Sequence, residues 1–156
     1  MKNYIKISLF TAFLLFCWES SGQESFKSDS RGKMKPLHIS LDNFPTDQPI
    51  NYMEGWGGMV IAVNEMPAGT DFGPLLKGLK NDSCQVPHWG YLLKGAVRLI
   101  YDDGTEEVLR EGDIFYMRPG HIAVVEEDVK MLDFSPQQEF KNLVEHIEKK
   151  MAESPK

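Results

Sequence analysis

Along the middle of this chain apolar and polar positions alternate in short bursts, with turn residues between them. Leu37-His38-Ile39-Ser40-Leu41 has the period of two expected of a half-buried strand. Asn43 to Gln48 carries Pro45 and two Asx residues and reads as a loop. Gly58-Met59-Val60-Ile61-Ala62-Val63 is a β-rich run that Met66 to Asp71, with Pro67 and Gly69, breaks. Further on, Tyr91-Leu92-Leu93 and Val97-Arg98-Leu99-Ile100-Tyr101 flank Lys94-Gly95. Asp102-Asp103-Gly104-Thr105 then predicts a hairpin turn, since Asp-Gly tolerates the positive φ that tight hairpins require. Glu107-Val108-Leu109 returns, Glu111-Gly112-Asp113 turns, and Ile114-Phe115-Tyr116-Met117 makes another strand. Arg118-Pro119-Gly120-His121 reads as a turn, before Val124-Val125 and Met131-Leu132-Asp133-Phe134. Strands at about ten-residue spacing predict an all-β antiparallel sandwich or small barrel over residues 36–136.

The pattern changes near the C-terminus. Ser135 fits a helix N-cap, Pro136 the first helical position, and Gln138 the third position after the cap. Phe140, Leu143, Val144, Ile147 and Met151 then recur at helical spacing, which predicts a C-terminal α-helix over 137–152. Its apolar stripe should pack on the barrel wall or on a second subunit. His146 lies off the stripe among charged residues and reads as a solvated histidine.

At the other end, Lys2 and Lys6 precede an almost unbroken apolar run from Ile7 to Trp18. Twelve helical residues reach about 18 Å, short of the roughly 30 Å hydrocarbon core of a bilayer. The small residues after Glu19 complete the pattern of a secretory signal peptide over 1–22, with cleavage after Gly22. This predicts an exported protein, periplasmic or extracellular, with no integral membrane span once the signal is cut. Retention as a buried segment is one alternative. Lipoprotein anchoring at Cys17 is another, against which Phe16 is bulky where such sites carry a small residue. Residues 23–35 are polar and aperiodic and read as a flexible lead-in.

Composition adds limits. With 156 residues, 42% of them hydrophobic and 26% charged, the chain suits one globular domain. Its net charge is −6, and removing Lys2, Lys6 and Glu19 with the signal leaves 15 basic and 22 acidic residues, a charge of −7. No basic patch is visible, which argues against nucleic-acid binding. Two cysteines exclude a disulfide-stapled fold, and after cleavage Cys84 alone remains. A lone thiol in an exported protein is exposed to oxidation, so it is either buried as a small hydrophobe or occupied by a metal.

Around the central hairpin stand Cys84, His88 and His121, three residues of metal-ligand type. Thiolate plus imidazole suits a divalent metal, zinc more than iron or copper. Each has a simpler alternative: an inert buried thiol for Cys84, a hydrogen-bonded core histidine for His88, a solvated turn residue for His121. Asp82 reads as a loop or cap residue that could support a ligand from behind. Glu126 and Glu127 read as an exposed turn. Trp89, Tyr91, Arg98, Tyr101 and Tyr116 are the polar aromatics and base nearby. Alternation puts Trp89 and Tyr91 on the face opposite His88. If Cys84 and His88 shared one extended strand they would lie about 13 Å apart. That is too far for a thiol nucleophile and its base, and equally for joint metal binding. A chain turn near Pro87, or a loop position for Cys84, would remove the difficulty. The Gly55-Trp56-Gly57-Gly58 stretch lacks the strand-to-helix setting of a phosphate loop.

Over residues 57–135 the chain resembles the cupin superfamily. Cupins carry two histidines one residue apart, a glutamate four beyond the second, and a glycine seven beyond that. Counting back from Gly95, His88 stands at the glutamate's place, Cys84 at the second histidine's and Asp82 at the first's. Gly112, Pro119, Gly120 and His121 match the second motif, with His121 directly after the Pro-Gly. The stretch from Cys84 to Tyr91 looks like a subgroup of small bacterial cupins with this altered set. The resemblance implies a cupin-type antiparallel β-barrel or jelly roll whose interior holds a metal and a small-molecule ligand. Activity does not follow from the fold. The chain reads as a binding module, with a metal-dependent enzyme of dioxygenase, isomerase or lyase type on a small oxygenated substrate, or a metal-free structural barrel, as alternatives. Exposed sheet edges and aromatic faces need covering, which makes a homodimer a candidate assembly.

Overall fold

In a computed structural model of the chain, which describes residues 38–46 and 50–153, the elements run β1 (Tyr52–Trp56), β2 (Met59–Met66), α1 (Gly73–Leu76), β3 (His88–Tyr101), β4 (Glu106–Arg110), β5 (Ile114–Met117), β6 (His121–Pro136) and α2 (Gln137–Glu153). The segments read as a signal peptide (1–22) and a lead-in (23–35), and Cys17 with them, lie outside the described residues. All strand pairs are antiparallel, in the order β1-β2-β6-β3-β4, with β5 also on β3. The fold is thus an antiparallel β-structure closed by a C-terminal helix. Among the described residues no helix is long and apolar enough to cross a membrane.

Two long strands replace four short ones. Tyr91 to Leu93 and Val97 to Tyr101 are parts of β3, and the segments around Val124 and Met131 are parts of β6. The reason is a bulge. Register between β3 and β6 shifts at Leu92, Lys94 and Ala96, so the inward phase passes from His88, Gly90 and Leu92 to Val97, Leu99 and Tyr101. Gly95 sits at its centre with φ of 84°, and a Cβ there would lie 2.3 Å from the Asp128 carbonyl oxygen. Only glycine fits both demands. The bulge bends the sheet, so residues 88–91 pair with β5 while 96–100 pair with β4. Glu126 and Glu127 are exposed, but within β6 rather than in a turn.

The strand expected from Leu37 to Leu41 is absent from its described part. Ser40 caps a short 3-10 turn over Leu41–Asn43 through its carbonyl, and Asn43 Nδ2 bonds Ser40 Oγ at 2.8 Å. The alternation there is local: Ile39 and Phe44 pack over Ile61 and Val63 on the outer side of β2. Strand β1 and helix α1 carried no clear pattern and were not expected.

Two apolar clusters flank the interior. Leu92, Val97, Leu99, Phe115, Met117, Val125 and Met131 fill the curl of the sheet. Val60, Ala62, Leu76, Cys84, Val86 and the α2 stripe make the second. Phe140, Leu143, Val144 and Ile147 are buried, while Met151 is exposed. Burying four such side chains contributes roughly 6–12 kcal/mol gross, which holds a helix that would be marginal in isolation. The cap differs from expectation. Ser135 and Pro136 end β6, the helix starts at Gln137, and Gln137 anchors it by donating its N–H to the Gly58 carbonyl and accepting from Gly55 N–H. His146 is half-buried beside Gly78 rather than solvated.

Candidate metal centre

Cys84 lies in a loop before β3, and this removes the distance problem. Its backbone forms an isolated bridge with His121: Cys84 N–H donates to the His121 carbonyl at 2.8 Å, and Gly120 N–H to the Cys84 carbonyl at 2.7 Å. The Pro119-Gly120 turn is held close to Asp102, whose N–H donates to the Gly120 carbonyl. Gly120 takes a φ of 86°, a backbone conformation that favours glycine in the turn preceding His121. His121 is therefore the first residue of β6 and points inward, 3% exposed, not into water.

Cys84 Sγ lies 3.4 Å from His88 Nε2, and the sulfur and one ring nitrogen of each histidine all lie within 4.8 Å of one another. The His88 and His121 rings meet edge to face at 5.3 Å. Each imidazole has its far side fixed. His121 Nδ1 is 2.7 Å from the Arg118 carbonyl, to which it donates, so Nε2 is the nitrogen left for the Cys84 sulfur or a metal. Arg118 itself stacks on the Tyr101 ring at 4.0 Å, and Tyr101 packs edge-on against His121. His88 Nδ1 lies 2.7 Å from Ser135 Oγ and 3.4 Å from Asp133 Oδ2, and Ser135 Oγ–H donates to the same carboxylate oxygen at 3.3 Å. A histidine whose Nδ1–H is held by a carboxylate, hydroxyl or carbonyl presents its Nε2 lone pair, as metal-ligating histidines do.

Without a metal, charge still concentrates here. Burial opposes the Cys84 thiolate, but hydrogen bonds from His121 and His88 outweigh it and bring the thiol down to about 6. Burial likewise disfavours a charged His88, yet Asp133 and Cys84 hold it up at about 10. The metal-free pair is thus thiolate and imidazolium.

The cluster opens on a cavity of about 330 Å³ between the sheet and α2. Of the other candidates, Asp82 caps the loop by accepting from Gly78 N–H. Arg98 faces out and pairs with Glu106 and Glu126. Tyr116 stacks on Trp89 at 5.1 Å on the exposed face, where Tyr91 also lies. Asp133 and Ser135 were missed. The sign was present: Val129, Met131, Asp133 and Ser135 are the buried phase of β6, and two polar residues in such a phase mark a site.

No protein-family model matches the chain, and no curated protein matches it. Among solved structures the chain is similar to the cupin domain of Schizosaccharomyces pombe Cnp3, at 18% identity over 68% of this chain and 77% of that one, TM-score 0.46. It is also similar to a cupin-2 domain protein from Shewanella frigidimarina, at 10% identity over 63% and 93%, TM-score 0.44. A protein of unknown function from Rhizobium leguminosarum gives 18% identity over 65% and 97%, TM-score 0.46.

Proposed function

We propose that this cupin-like chain is an exported module that binds a divalent metal, zinc in preference to iron, through Cys84, His88 and His121, and a small molecule in the adjoining cavity. The observation that carries the reading is the pair of imidazoles with their Nδ1 atoms committed to Arg118, Ser135 and Asp133, converging on one buried sulfur. One thiolate and two imidazoles match zinc's preference and leave a fourth position open. When bound, zinc supplies Lewis acidity toward a ligand oxygen. The mostly apolar walls beside the cluster would hold the rest of the ligand.

Binding is favoured over catalysis because the lining lacks an uncommitted acid or base. Its two carboxylates are Asp133, engaged with Ser135 and His88, and Glu65, paired with Lys130 at 2.7 Å. A second reading starts from the same contact: Cys84 as a nucleophile, His88 as its base and Asp133 as the orienting group. The metal reading uses His121 as well, which a nucleophile does not need. Metal analysis of the chain expressed with its leader and purified anaerobically separates the two. We expect about one zinc per chain, lost in Cys84→Ala and His121→Ala, and a secreted form beginning near Gln23. Metal well below stoichiometry in the unmutated protein, with Cys84 rapidly alkylated, favours the nucleophile.

A further inference from the structure

We infer that the cavity takes an uncharged, mostly apolar molecule of roughly ten non-hydrogen atoms that presents a single carbonyl or hydroxyl oxygen to the metal. The inference rests on the metal reading above and adds the class of ligand. Size follows from the cavity: about 330 Å³ holds roughly eleven times the share of one water. Character follows from the walls. Phe72, Leu75 and Leu76 from the α1 region and Phe140, Leu143 and Ile147 from α2 face the curl of the sheet across it.

Charge decides the head group. The divalent ion is balanced by the Cys84 thiolate and the Asp133 carboxylate, so the loaded centre is neutral before a ligand arrives. Among the described residues, no lysine or arginine lines the cavity. An anionic head would therefore leave one negative charge uncompensated against mostly apolar walls, which is disfavoured. A carbonyl or hydroxyl oxygen fills the open position with no such penalty. A polyol finds few partners along these walls. Thr70 is committed to the Pro67 carbonyl, and Asn64 Oδ1 accepts from Asn51 N–H. Among the described lining residues, Asn51 Oδ1 is the buried acceptor without a partner, enough for a single further hydroxyl.

The test is calorimetry on the zinc-loaded full chain with 1-octanol, octanoate and sorbitol, after zinc content has been measured. We expect 1-octanol to bind at least about tenfold more tightly than either of the others. Leu143→Trp, which fills the cavity, should abolish that binding while zinc content is unchanged. Leu143→Phe serves the same purpose if the larger substitution fails to fold. Zinc far below one per chain overturns the metal reading itself. With zinc at one per chain, octanoate or sorbitol binding as tightly as 1-octanol, no binding of 1-octanol, or unchanged binding in the filled variants overturns the ligand class alone.

Discussion

Replacing Asp133 with asparagine keeps the shape of the network behind His88 but reverses its logic. In the unmutated chain the proton order runs from His88 Nδ1–H to Ser135 Oγ at 2.7 Å and from Ser135 O–H to Asp133 Oδ2 at 3.3 Å. A carboxylate can only accept, so when a metal displaces the Nε2 proton of the imidazolium this order keeps the remaining proton on Nδ1. An asparagine amide can donate to Ser135 Oγ, which frees the hydroxyl proton to turn toward His88 Nδ1. The neutral ring that a metal needs then keeps its proton on Nε2, where it blocks ligation. Loss of a partner of this kind typically weakens metal affinity about 10–100-fold, or roughly 1.4–2.8 kcal/mol. Ser135→Ala should cost less, because Asp133 Oδ2 already lies 3.4 Å from Nδ1 and can close on it directly. Competition with a chromophoric zinc chelator measures both affinities, and nitrogen-resolved NMR of the metal-free chain above about pH 10, where His88 is neutral, reads the tautomer. Zinc affinity within about twofold of the unmutated chain in Asp133→Asn, with the Nδ1–H tautomer retained, would refute the reasoning.

The metal-free chain should show thiolate absorbance rising with a midpoint near 6, set by the hydrogen bonds from His121 and His88, and a midpoint near 9 contradicts the contact geometry. Cys84, lowered on folding, makes stability rise with pH between about 6 and 9, whereas His88, raised on folding, makes it fall between 6.5 and about 10. The slopes cancel between about 6.5 and 9. Denaturant midpoints should be flat there for the unmutated metal-free chain and fall with pH for Cys84→Ala, which leaves Asp133 holding His88 up. Gly95→Ala combines a φ of 84° with a backbone clash at 2.3 Å, and should destabilise by about 3 kcal/mol in urea unfolding. A loss below about 0.5 kcal/mol would mean the bulge is not where β3 turns its faces.

Local chemistry made some elements readable. The turn at Asp102 to Thr105 and the strand Ile114 to Met117 lie between residues whose backbone preferences leave little choice, and both appear where expected. The continuity of β3 and β6 was hidden, because Lys94-Gly95 is as good a turn signal as a bulge signal. Ser135 illustrates a different failure. Its fit to a capping position was real, but burial and the demand of His88 Nδ1 for an acceptor placed it at the end of a strand instead. For the centre itself, residue type singled out Cys84, His88 and His121, whereas their meeting depended on a loop conformation that spacing along a strand could not reveal. Export remains a proposal from the sequence of residues 1–22.

X-ray absorption at the zinc edge of the loaded protein tests the central claim most directly. One sulfur at about 2.3 Å and two imidazole nitrogens at about 2.0–2.1 Å, with a fourth light atom, is the predicted shell, and Cys84→Ala, which should purify without zinc, should show no sulfur when zinc is added back in excess. A shell of oxygens alone, or one unchanged by that substitution, would contradict the account.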